Sequence, residues 1–199
     1  MIKLFNKWDI SGIKVKEIAL EPYINLTPVL VPRTAGRAAQ GQRIWIQKNN
    51  IVERLINKLM VPGHKGKKHK ISSGHCSGKA STTYKIAKEA LEIIEKETKQ
   101  NPVEVFVRAI ENAAPREEVA SIEYGGARYS KAVEVAPQRR VDITLKLMVQ
   151  GAYQKAFNSK KKMARALAEE ILAAYKLDQQ GSAALGKKLE LERQADSSR

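Results

Sequence analysis

The amino-acid sequence predicts a mainly α fold: a helical bundle of five to six helices with a protruding two-stranded β-hairpin and an extended basic N-terminal arm. Three observations carry this expectation. Apolar residues recur at helical spacing in five stretches between Ile51 and Tyr175. Around Gly125-Gly126 the period drops to two. Positive charge gathers on both sides of the first helix: residues 1–83 hold 15 Lys and Arg against 4 Asp and Glu, while residues 84–199 hold 21 against 17.

Residues 1–48 are punctuated by Pro22, Pro28, Pro32, Gly36 and Gly41 and show little periodicity, which reads as an arm with short strands around Lys14–Leu20. Asn49 or Asn50 caps the first helix, whose Ile51, Val52, Leu55, Ile56 and Leu59 share one face, and Pro62-Gly63 ends it. From Gly63 to Ser81 five lysines and three histidines stand with no acid, a loop by composition. A second helix spans Thr82–Lys99. A third starts at Asn101-Pro102, where the missing proline N–H costs nothing, and stops at Pro115. Residues 117–135 form the hairpin. Pairing outward from the glycines sets Glu123 opposite Arg128 and Ile122 opposite Tyr129. Neither face of this ribbon is consistently apolar, so it should project and rest on another element. Pro137 opens a fourth helix through Phe157, and Ser159 caps a fifth through Tyr175. The three regions are thus the arm 1–48, a helical domain 49–177 and a polar C-terminal tail 178–199, which frays or forms a short exposed helix.

Chemistry-bearing motifs are scarce. Ser73–Ala80 lacks the first glycine and the terminal hydroxyl of a phosphate loop. His64, His69, His75 and Cys76 could supply zinc donors, but their spacing matches no standard finger and the nearby lysines repel a cation. Glu117-Glu118 and Glu169-Glu170 read as solvated faces. No catalytic residues, metal site or cofactor is expected, and the chain does not read as an enzyme. One cysteine fits a reducing cytoplasm, and no run reaches the ~18 apolar residues of a membrane span.

The basic residues are the informative set. Arg33, Arg37, Arg43 and Lys48 lie on the arm; Lys65, Lys67, Lys68 and Lys70 lie on the loop; Arg116, Arg128, Tyr129, Lys131, Arg139 and Arg140 frame the hairpin. Such a set suits irregular RNA, whose bases stack on Tyr or Arg and whose phosphates pair with Lys and Arg. A free-standing architectural nucleic-acid-binding protein on duplex DNA is the alternative.

The stretch PREEVASIEYGGARYSKAVEVAPQRR resembles the universal family of small-subunit ribosomal protein seven, in its archaeal and eukaryotic branch. AGRAAQ in the arm, NNIVERLINKLM, NPVEVFVRAIENAAPRE and the closing KKLELERQADSSR extend the resemblance over nearly the whole chain. The resemblance implies binding to the 3′ major domain of small-subunit rRNA and nucleation of head assembly. It also implies a hairpin near the exit-site tRNA and mRNA, and neighbouring small-subunit ribosomal proteins as partners. Arg37, Arg43, Arg116, Arg139 and Arg140 would then contact rRNA, and Gly125 and Gly126 would form the hairpin tip. The Gly63–Ser81 loop is longer than in bacterial members, and Ile122-Glu123 stand where those members are basic. This favours Arg128 and Lys131 on the outgoing strand as RNA contacts.

Lysine acts on phosphate as a point charge and does not read base edges. Changing Lys65, Lys67, Lys68 and Lys70 together to Gln should therefore weaken binding to all RNAs and leave selectivity unchanged in filter-binding titrations. Lost discrimination between related and unrelated RNA would mean that the loop reads sequence.

Overall fold

The computed structural model describes residues 2–33, 43–62 and 75–199, with residues 43–45 described by backbone alone. Among these, six α-helices and one antiparallel hairpin follow in the order α1 (Ile51–Leu59), α2 (Ala80–Thr98), α3 (Pro102–Ala113), β1 (Glu117–Tyr124), β2 (Ala127–Glu134), α4 (Pro137–Ala156), α5 (Met163–Tyr175) and α6 (Ala183–Asp196). The mainly α bundle with a two-stranded hairpin is as expected from the sequence.

Local chemistry explains the helix ends. Asn50 caps α1 by accepting from the Val52 N–H, and Asn101 caps α3 by accepting from the Val103 N–H, each satisfying an orphan donor of the first turn. Pro102 and Pro137 occupy first turns. α3 ends at Ala113, so the buried Ala114 continues its apolar stripe from extended backbone. Ser159, expected to cap α5, closes α4 instead: its hydroxyl donates to the Lys155 and Ala156 carbonyls, and α5 begins at Met163.

α5 is the centre of the bundle and packs against α2, α3, α4 and α6. Ala164, Ala166, Ala168 and Ala174 are buried along it, and these small side chains let four neighbours approach closely. Leu167 of α5 is fully buried, and around the helix lie Phe106, Ile110, Leu145 and Met148, also fully buried.

Two regions depart from the expectation. Residues 2–33, read as part of an extended arm, pack on the bundle and place Leu4, Phe5, Trp8, Ile10, Leu20 and Ile24 in the main core. Turns and a short 3-10 helix, Glu21–Tyr23, replace the strands expected around Lys14–Leu20. Irregular backbone needs no apolar period to bury side chains, which is why the pattern was silent. Arg54 of α1 fixes this segment by donating to the Tyr23 carbonyl at 2.7 Å and to Asp142 of α4 at 3.3 Å.

The second departure is the polar tail, which is anchored. Ser182 caps α6 by accepting from Leu185 N–H, and Ala184, Leu185 and Ala195 are buried. Glu170 of α5, expected on a solvated face, is fully buried and accepts from the Ser182 hydroxyl at 2.9 Å, the Ala184 N–H at 3.1 Å and the Lys155 ammonium at 2.5 Å. A buried carboxylate needs partners of this kind to offset its lost hydration.

Leu4→Ala and Leu20→Ala should each cost about 2–5 kcal/mol in urea unfolding, the usual range for a buried leucine. A loss within about 0.5 kcal/mol, the level of a surface substitution, would contradict the packing of this segment.

Candidate nucleic-acid interface

The hairpin register is the one the glycine turn dictates. Gly125 and Gly126 have φ of 57° and 81°, the left-handed pair a type I′ turn requires and side chains resist. Glu123 faces Arg128, Ile122 faces Tyr129, and the ladder runs back to Glu117 opposite Glu134. The inner half rests on α6, while residues 121–131 are exposed.

Period-two alternation sorts the ribbon into two faces. One carries Glu117, Glu134, Glu123 and Arg128. The other carries Glu118, Lys131, Ile122, Tyr129 and Tyr124. On this second face Ile122, Tyr129 and Tyr124 are 47%, 59% and 81% exposed, a solvent-facing apolar and aromatic row beside a lysine. Tyr124 was not among the residues singled out from charge. Its signal was the strand period, which places it on the face of Tyr129.

The arginines around the ribbon do different things. Arg139 is half exposed and forms a two-pronged bond to Glu118, Nε to Oε1 at 2.8 Å and Nη2 to Oε2 at 2.9 Å. That carboxylate raises the Arg139 guanidinium above its ordinary value. Arg140, one residue on, is buried. It donates from Nε to the Pro115 carbonyl at 2.9 Å and from Nη1 to Glu17 at 2.6 Å. The expectation that Arg140 lies open to RNA therefore gives way to a structural clamp. Arg128 is largely exposed, 3.5 Å from Glu123. Arg199, at the chain's end, donates to both oxygens of Glu117. The exposed Arg116 receives the Val135 N–H on its carbonyl and gives its own N–H to Glu192.

Of the other residues predicted to bind, Arg33 and Lys48 are exposed. Arg43 starts the 3-10 helix Arg43–Lys48, and its side chain is not among those described. Arg37, Lys65, Lys67, Lys68 and Lys70 lie outside the described residues, as do His64 and His69. Cys76 is buried in the core, and burial pushes its thiol up from the ordinary value, so its part here is packing. Among the described residues no cluster of three metal-ligating side chains occurs, and no helix is long and apolar enough to cross a membrane. The run Lys160-Lys161-Lys162 between α4 and α5 is exposed as well, a basic feature that charge reading passed over.

A helical bundle carrying a ribbon with exposed cations and aromatics is a scaffold whose surface suits a polyanion, and the structural, RNA-binding proteins of the ribosome are the class it matches. The chain belongs to the ribosomal protein S7p/S5e family, whose model matches residues 23–199. It is 50% identical to the small ribosomal subunit protein uS7 of Nanoarchaeum equitans over all of this chain and 99% of that protein. It is 47% identical to the uS7 of Methanococcus maripaludis over all of this chain and 99% of that protein. With the uS7 of Methanosphaera stadtmanae the identity is 46%, over 98% of this chain and 97% of the relative. The resemblance read from the motifs is thereby established at full length, with archaeal relatives.

Arg139→Ala and Arg140→Ala should separate cleanly. Loss of Arg140 leaves the Glu17 carboxylate and the Pro115 carbonyl without their donor, a defect that typically costs about 3–5 kcal/mol. Loss of Arg139, in an exposed pair, should cost no more than about 1 kcal/mol. Thermal and urea unfolding of the two variants checks this, and equal losses would contradict the division.

Proposed function

We propose that this chain is a structural component of the small ribosomal subunit that binds the 3′ major domain of the small-subunit rRNA and nucleates assembly of the head. Its hairpin tip lies near the exit-site tRNA and the mRNA, and it works in the cytoplasm. Membership in the family supports the setting. The observation that carries the RNA reading is the ribbon face itself. Tyr124, Tyr129 and Ile122 project into solvent on a strand pair with Lys131, where a folded monomer gains nothing from exposing them. Aromatic rings at that position can stack unpaired bases, at about 1–3 kcal/mol per base, while Lys131 and Arg128 meet phosphates.

Different parts of the chain carry separate tasks in this reading. The bundle docks among neighbouring ribosomal proteins. The cations at the ribbon's base, Arg116 and Arg139, together with Arg33, Arg37, Arg43 and Lys48 before α1, hold rRNA. The loop lysines Lys65, Lys67, Lys68 and Lys70 add charge without sequence readout. Crosslinking in cells tests the assignment. Small-subunit rRNA should be the recovered nucleic acid, and recovery of chromosomal DNA would favour an architectural role on duplexes.

Residues 122–129 contribute nothing to the core, so replacing them by a Gly-Gly turn should leave small subunits assembling at near-normal levels. The expected defect is in retaining exit-site tRNA or holding the reading frame. Sucrose-gradient profiles beside a frameshift reporter check this. Loss of small subunits on tip deletion alone would overturn the assignment of the tip.

A further inference from the structure

Every charged group on β1 is a carboxylate, and each one holds an arginine. Glu118 grips Arg139 with both oxygens, Glu117 meets Arg199 at 2.6 and 2.7 Å, and Glu123 lies 3.5 Å from Arg128. The three arginines come from α4, from the chain terminus and from β2, so no single helical or cross-strand rule accounts for all three pairs. Glu117 and Glu118 point to opposite faces of the strand and thus engage arginines on both sides of the ribbon.

The geometry offered to Arg139 resembles what RNA would offer, while Arg199 meets both oxygens through one nitrogen and Arg128 makes a single 3.5 Å contact. A carboxylate takes a guanidinium fork through two oxygens as a phosphate does. The guanidinium side chains are 50%, 61% and 77% exposed, so the pairs sit in high dielectric and are exchangeable. The buried pair of Arg140 and Glu17 is of the opposite kind.

We propose that Glu117, Glu118 and Glu123 are phosphate stand-ins: they occupy Arg199, Arg139 and Arg128 until RNA phosphates displace them, and so hold down binding to unrelated RNA. This rests on the RNA-binding reading above. A nucleic acid of the wrong shape reaches one arginine at a time and gains little over the carboxylate already there. The correct RNA engages several at once from a fixed backbone and replaces all the stand-ins together. The acids therefore lower affinity for every RNA by an amount set by how many of these arginines it must free.

Glu134 supplies the control. It stands across the ladder from Glu117, is exposed, and has no basic partner among the described residues. Glu118→Gln and Glu134→Gln remove the same charge from the same ribbon. Filter binding of the full chain to an unrelated single-stranded RNA should show Glu118→Gln tightening binding about 3- to 5-fold, as expected from freeing an exposed pair. It should also steepen the slope of log K against log salt by about 0.7. Glu134→Gln should leave the slope unchanged. Adding Arg139→Ala to Glu118→Gln should erase the gain, because the effect acts through that arginine. Equal effects of the two glutamine variants, or a gain that survives loss of Arg139, would reduce the acids to general repulsion and overturn the proposal. Binding of the unaltered chain to 3′ major domain rRNA, compared with the unrelated RNA, tests the RNA-binding reading separately. The unrelated-RNA measurements read the stand-in role whichever way that comparison falls.

Discussion

A two-stranded ribbon is marginal in water by itself, so its persistence and direction depend on what holds its base. Here that anchor is the buried guanidinium of Arg140. It reaches the Pro115 carbonyl at the end of the α3–β1 turn and the Glu17 carboxylate of the N-terminal segment, while the Arg140 carbonyl accepts the Thr144 hydroxyl. Glu17 is itself placed by Glu111 of α3, whose carboxylate accepts the Lys16 and Glu17 N–H groups. One side chain thus joins α3, α4, the strand entrance and the first twenty residues. A buried charge is tolerable only with such complete pairing, and the same requirement makes the geometry rigid.

The second support comes from the chain's end. Glu170 and Ser182 seat the start of α6, and no side chain larger than hydrogen fits at Gly151, where an added Cβ would lie 2.7 Å from that of Ala183. α6 then runs under the hairpin, so that Glu192 meets the Arg116 N–H, the Ser198 carbonyl meets the Ala132 N–H and Arg199 meets Glu117. Displacing α6 would release the ribbon from one side. The polar tail is therefore structural, although its few apolar contacts leave little trace in the sequence.

The contrast between what was legible and what was not follows from the type of signal. The hairpin register was readable because two adjacent glycines admit one turn geometry, and every cross-strand neighbour follows from it. α1 to α4 were readable because a half-buried helix writes its period into the chain. Leu4, Trp8, Ile10 and Leu20 had no period to write, since turns carry them into the core. α6 buries only Ala184, Leu185 and Ala195, too few for a stripe. Glu170 looked solvated because adjacent carboxylates on a helix normally form a solvated face, and only the fold brings Ser182 and Lys155 to it. Around the ribbon, charge counting could not tell an available arginine from an engaged one.

Arg139 and Arg140 make that last distinction physical. They are adjacent on α4, about 100° apart around its axis, so one guanidinium enters the protein and the other leaves it. Each then finds a carboxylate, Glu17 for the buried arginine and Glu118 for the exposed one. In the buried case water cannot compensate for a lost partner, and the ion pair behaves as part of the scaffold. In the exposed case water and salt can replace either member at small cost, so the arginine stays exchangeable. A surface that must bind a polyanion needs cations of the second kind, held where a phosphate can compete for them. It also needs cations of the first kind behind them, because exchangeable groups on an unanchored ribbon would present no fixed geometry to an RNA. The sequence places both kinds in one dipeptide, and the direction of a helix face decides which is which.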